Sequence, residues 1–134
     1  MEKRRNSFRR HAQALIAAVA LCGAAEACEL PAGARAESAS FALTYRTHPA
    51  KIVLGEHFAL EYAVCPKPGA AMPAVVNVDA WMPEHRHGMN YKASVTLLGG
   101  GRFRAQGLLL HMPGRWEFVF GAGGERLAHS VRIE

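Results

Sequence analysis

From Phe41 onward the chain alternates apolar and polar positions with a period of two. Phe41, Leu43 and Tyr45 share one side and Ala42, Thr44 and Arg46 the other, as in a half-buried strand. Residues 51–54 read as a continuation beyond the Thr47-His48-Pro49 break. Residues 57–64 alternate again, with Phe58, Leu60, Tyr62 and Val64 in phase, until Pro66, Pro68 and Gly69 force a loop. Residues 75–82 predict a third strand: Val76, Val78, Ala80 and Met82 face one way, Asn77, Asp79 and Trp81 the other. Pro83, with no amide proton to donate, ends regular pairing there.

Residues 93–98 predict a fourth strand, and the Gly99-Gly100-Gly101 turn makes a hairpin with residues 103–110. Pro113-Gly114 predicts another turn, because proline presets the first corner and glycine tolerates a positive φ at the second. Trp116, Phe118 and Phe120 then face a core, and Leu127, His129, Val131 and Ile133 form the last strand. About seven short alternating strands, with no helical periodicity after the N-terminal segment, predict an all-β protein: an antiparallel immunoglobulin-like β-sandwich. No internal repeat suggests a solenoid or propeller.

The N-terminal segment follows a different pattern. Basic residues (Lys3, Arg4, Arg5, Arg9 and Arg10) precede an apolar run over 12–21 and a small-x-small phrase, Ala25-Glu26-Ala27. Residues 1–27 therefore read as a secretory signal peptide. The run is shorter than the roughly 20 residues of a membrane span. The mature chain is expected to be periplasmic or secreted, with no direct membrane span after cleavage. Lipid anchoring at Cys28 is the weaker reading, because Ala25 stands where such a site usually has leucine. Residues 28–39 are small, polar and aperiodic, and read as a flexible leader to one domain over 40–134.

Cleavage also changes the charge and the cysteine count. The formal charge of +5 falls to about +2, and the remaining Lys and Arg are scattered, so neither a nucleic-acid stripe nor a polybasic membrane patch survives. Cys28 and Cys65 are left as an even pair in an oxidising compartment. A disulfide is the plain expectation, with thiolate ligation of a soft metal or an unpaired or lipidated cysteine as alternatives.

Candidate chemistry gathers in two phrases. Trp81-Met82-Pro83-Glu84-His85-Arg86-His87-Gly88-Met89-Asn90 places two imidazoles and a thioether within five residues, and Leu110-His111-Met112-Pro113-Gly114-Arg115-Trp116 offers a second pair. In extended backbone His85, His87 and Met89 leave on the same side. Each phrase ends a strand, and strand ends gather at the poles of a sandwich, so both can meet at one site. Thioethers suit cuprous copper, and imidazole suits cuprous and cupric copper as well as zinc and nickel, so a mixed set favours copper. The candidate metal ligands are His85, His87, Met89, His111 and Met112.

The bland readings stand beside these. His85 and His87 can be plain surface residues, His111 a buried hydrogen-bonded histidine, and Met112 an inward-packing side chain. Met82 reads as core. Trp81 or Trp116 could cover a cuprous ion through a cation-π contact, although core packing is the commoner duty. His129 reads as a satisfied core or rim group, and His48 and His57 as surface. Catalysis has few parts: Asp79 is the only aspartate, and Ser94 and Ser130 lack a nucleophile-elbow motif. The chain reads as a non-enzyme.

The phrase from Asp79 to Asn90, the glycine turn with Arg102-Phe103, and the phrase from Gly107 to Glu117 resemble the YtkA-like domain family, itself loosely related to FixH-type proteins. The resemblance covers roughly residues 40–134. It implies a small exported or membrane-tethered sandwich domain associated with copper handling or respiratory oxidase assembly. By motif it carries over to His85, His87, Gly88, Met89, His111, Met112, Pro113 and Gly114. The chain departs from FixH-type members in retaining no membrane helix, which counts against a direct role in an oxidase complex. Two functions are therefore expected: a copper carrier or buffer, with a possible membrane-protein or cuproprotein partner, or a metal-free interaction module that assists a membrane or respiratory complex.

Overall fold

A computed structural model describes residues 27–134. The signal segment expected over 1–27 lies, but for Ala27, outside the described residues. Nine strands follow in order: β1 (Ala34–Glu37), β2 (Phe41–His48), β3 (Phe58–Pro66), β4 (Val76–Met82), β5 (His87–Gly88), β6 (Ser94–Gly99), β7 (Arg102–Leu108), β8 (Gly114–Ala122) and β9 (Glu125–Ile133). They form two antiparallel sheets, ordered β1-β2-β3-β7-β6 and β5-β4-β8-β9. Without β1 and the two-residue β5, the orders β2-β3-β7-β6 and β4-β8-β9 reproduce the four-on-three arrangement of an immunoglobulin-like sandwich. No helix among the described residues is long and apolar enough to cross a membrane.

The alternation read from the sequence decides which side chains fill the space between the sheets. In β4 every second residue is buried, Val76 through Met82, while Asn77, Asp79 and Trp81 are exposed. From β8, Trp116, Phe118 and Phe120 are completely buried and meet Leu43, Leu60 and Phe103 from the other sheet. Tyr62 stacks on Phe103 with ring centres 5.4 Å apart. Its hydroxyl, pushed well above its ordinary pKa by burial, donates to the Val76 carbonyl and so avoids the cost of an unpaired buried donor. Each such aromatic contributes about 1.5–3 kcal/mol by leaving water.

Residues 28–39 differ from the flexible leader expected. Ala34–Glu37 pairs with β2 in the register Ala34↔Tyr45 to Glu37↔Ala42, and Cys28 is joined to Cys65 with Cα atoms 5.6 Å apart. The segment before β1 crosses the outer face of β2, where the Thr44 hydroxyl donates to the Pro31 carbonyl and Arg46 Nε to the Ala32 carbonyl. That covering explains why Phe41–Tyr45 is buried on both faces rather than one. Leu30 is the one large apolar side chain in the strap, too few to give it a period; Ala36 and the disulfide hold it instead. Residues 51–54, expected to extend β2, fall outside any strand.

Candidate functional site

The loops at one pole of the sandwich bring both histidine phrases together. Met82 ends β4, and the His85 amide donates to the Met82 carbonyl at 3.2 Å, closing a turn with Pro83 at its first corner. Arg86 then takes a left-handed conformation (φ 54°), which returns His87 and Gly88 to pair with Met82 and Trp81. Residues paired across antiparallel strands project to the same side. His87 therefore leaves on the core side with Met82, at the open end of the sandwich, whereas Trp81 faces outward over Gly88, where an added Cβ would lie 3.6 Å from the indole. The Met89 amide donates to the Ala80 carbonyl at 3.1 Å, and the half-buried Met89 side chain packs on the core.

The second phrase occupies the loop between β7 and β8. Leu110 is buried, and its carbonyl accepts from the Gly55 amide at 2.9 Å, so this loop is tied to the one between β2 and β3. His111 turns outward while Met112 lies half-buried against the core. The Trp116 indole N–H donates to the Met112 carbonyl at 3.0 Å. Gly114 follows with φ 131°, a backbone conformation that favours glycine, and an added Cβ there would sit 2.8 Å from the Met82 methyl.

The result is a row of three imidazoles over a buried indole. The His85 and His87 ring centres are 5.7 Å apart, and those of His87 and His111 5.2 Å. Trp116 meets His87 and His111 edge-on at 6.1 and 5.5 Å. Imidazoles sharing one first-row ion, at metal–nitrogen bonds of about 2.0–2.1 Å, hold their ring centres roughly 5–5.5 Å apart at bond angles near 110–120°. The His87–His111 spacing falls in that range, and the His85–His87 spacing lies just outside it. Even so, among the described residues no three His, Cys, Asp or Glu side chains form a group that could hold a metal ion by themselves. The imidazoles are neighbours, and closing on one ion requires rotation about their side-chain bonds or a donor of another kind.

Methionine can be that donor, and three thioethers belong to these same segments. Met89 and Met112 are half-buried at the edge of the core, and Met82 is fully buried and paired with His87. The core role expected for Met82 is the one it has. Charges nearby are modest: Glu84 accepts from Arg115 at 3.4 Å, and Arg115 also reaches Glu117 at 3.3 Å.

The structure separates the remaining histidines. His129 Nδ1 and the Tyr45 hydroxyl are 2.7 Å apart, a satisfied rim group as expected. His48 and His57 had no partner legible in sequence. His48 Nε2 lies 3.4 Å from a Glu61 carboxylate oxygen, and the His57 ring meets Tyr91 edge-on at 5.4 Å. The pairing His48↔Ala59 puts His48 at the same end as the start of β3, which is also the end where β7 passes into the loop of His111. Trp116, expected either to cover a cuprous ion or to pack in the core, is fully buried and lies against His87 and His111, whereas Trp81, the other candidate, is exposed.

Comparison with family models, with curated proteins and with solved structures finds no match to this chain.

Proposed function

We propose that this protein binds copper at the pole built from residues 82–89 and 110–116, and serves as a periplasmic or secreted carrier or buffer for the ion. The observation that carries the reading is the approach of His87 to His111, two imidazoles from separate loops with ring centres 5.2 Å apart beside methionine-bearing backbone. His85, His87 and His111 supply nitrogen, and Met89 and Met112 supply sulfur. Methionine sulfur distinguishes cuprous copper from zinc, which has no use for it. The Cys28–Cys65 bridge supports an oxidising compartment, and a sulfur held in it cannot also carry a lipid. Membership of the YtkA-like family would agree with both points and belongs to the same proposal.

The test is a cuprous titration against a competing chelator, comparing wild type with His85→Ala/His87→Ala. A wild-type affinity well above that of the double variant supports the proposal; equal, millimolar-weak binding by both overturns it. Exposed Tyr91 and Val53 at or near the same loops favour a second reading: a metal-free surface that docks on a membrane-protein or cuproprotein partner. Equal weak binding in the titration would leave that reading standing.

A further inference from the structure

The seam between β2 and β9 is filled along only part of its length. β1 occupies that part: it pairs with β2 from Glu37↔Ala42 to Ala34↔Tyr45, lies against β9, and buries Ala36 between the sheets. β2 and β9 run the same way, since Phe41 lies beside Gly123 and Tyr45 beside His129, so β1 is antiparallel to both. At Gly33 the chain turns away to cross the outer face of β2, where the Pro31 and Ala32 carbonyls accept from Thr44 and Arg46. Beyond that point the seam stands open as a cleft of about 820 Å³, with Gly33 and Ala34 at the end nearer β1. Two runs of consecutive residues border it, 45–48 of β2 and 131–134 at the end of β9. Side chains alternate between the faces of a strand, so an unbroken run means that the strand presents its backbone edge. Arg132 illustrates this, because its pairing with Arg115 sends its side chain to the outer face, opposite Val131 and Ile133.

Both edges are unpaired there. β9 ends its sheet and pairs with β8 alone, and β2 has no strand on the β1 side after Tyr45. Among the described residues no further backbone hydrogen bond reaches 46–48 or 129–133. The space behind these edges is apolar: Ile52, Val131 and Ile133 pack against the core yet are only half-buried, and Phe118 lines the same wall. We propose that this opening receives an extended segment of a partner protein, antiparallel to β9 over His129–Ile133 and in line with β1, with apolar side chains at every second position. The occupant is set by the interface it continues, since β1 already fills the same seam as an extended strand with every second side chain turned inward. Unpaired amides and carbonyls along β9 select a peptide backbone over a bare hydrocarbon. The run His129–Ile133 of β9 spans about 17 Å, so two or three inward side chains of the occupant fall beside Ile52, Phe118 and Val131. The site is independent of copper, since its residues are not those of the histidine row.

Metal-free protein, held in chelator, would be titrated with a capped seven-residue peptide that alternates valine with threonine, and followed by amide chemical shifts and hydrogen exchange. Saturable binding is expected to move the amides of His129–Ile133 and to slow the exchange of alternate ones. A peptide of the same composition with its valines contiguous should bind about tenfold more weakly or worse. N-methylation in the phase that faces β9 should cost a similar factor, and in the opposite phase less than about threefold. Val131→Lys and Ile133→Lys, which set an inward charge beside the edge, should each weaken binding about tenfold or more. A melting temperature within a few degrees of wild type shows that a variant is folded, and Ile133, at the end of the strand, keeps the test open if Val131→Lys is not. No saturable binding up to the millimolar range, equal affinity for the alternating and contiguous peptides, indifference to the phase of N-methylation, unchanged affinity in a folded variant, or shifts confined to another face would each overturn the proposal.

Discussion

Opening the Cys28–Cys65 bridge should reveal how much of the fold depends on the strap that crosses β2. The bridged residues are separated by 37 positions. On the chain-entropy model, a loop of that length removes about 13 cal/mol/K from the unfolded ensemble, or about 4 kcal/mol at 25 °C. For a domain of this size, 1 kcal/mol corresponds to roughly 4–8 °C, so the melting temperature should fall by about 15–30 °C. Cys65 is buried, so Cys65→Ala is the better partner for Cys28→Ser, because a serine would place a hydroxyl in the core. Urea unfolding, followed by far-ultraviolet circular dichroism and by tryptophan fluorescence, would compare both variants with oxidised wild type. Both variants should lose the same stability, and reduced wild type should match them. A loss under about 1 kcal/mol would refute the reasoning: the strap would then be an appendage whose closure leaves the sandwich indifferent.

Three further outcomes follow from single contacts. Gly114→Ala would force a side chain into a backbone region that costs about 1–3 kcal/mol, with its Cβ 2.8 Å from the buried Met82 methyl; the urea midpoint should drop and copper affinity should fall with it. Tyr45→Phe removes the hydroxyl bonded to His129, and should cost about 1 kcal/mol in urea unfolding, since His129 is half-exposed and can turn to water. Hydrogen bonds from the Ser38 and Ser40 hydroxyls and the Ser40 amide hold the Glu125 carboxyl below its ordinary range. A lowered folded-state pKa gives stability that is present above the unfolded carboxylate value and lost as pH falls through the folded one. Glu125→Gln should therefore flatten the acid limb of a stability profile, whereas an unchanged limb would show that the carboxylate contributes nothing there.

Much of the sandwich was legible because period-two alternation is a direct image of which face is buried. Val76, Val78, Ala80 and Met82 were read as one face, and they are the buried face of β4. Trp116, Phe118 and Phe120 were likewise read as core, and the glycine turn as the hairpin between β6 and β7. The strap was missed because alanine and glycine carry no apolar period. Its trace lay in the partner: Ala42, Thr44, Ala63 and Cys65, small residues at positions where an exposed strand face would carry large polar ones, are all buried. The short strand β5 was hidden for another reason, since Arg86 must adopt a positive φ before His87 can pair, and arginine gives no hint of it. That the two histidine phrases meet could be guessed from strand ends; which pole each occupies required the register.

The most direct measurement is a double-mutant cycle on cuprous affinity with His87→Ala and His111→Ala. If both imidazoles serve one ion, each single variant should lose roughly tenfold or more, and the pair should lose clearly less than the product of the two, because the second removal acts on a site already broken. Full multiplicativity would place the two rings in separate, independent sites, and wild-type affinity in either single variant would remove that residue from the copper site altogether.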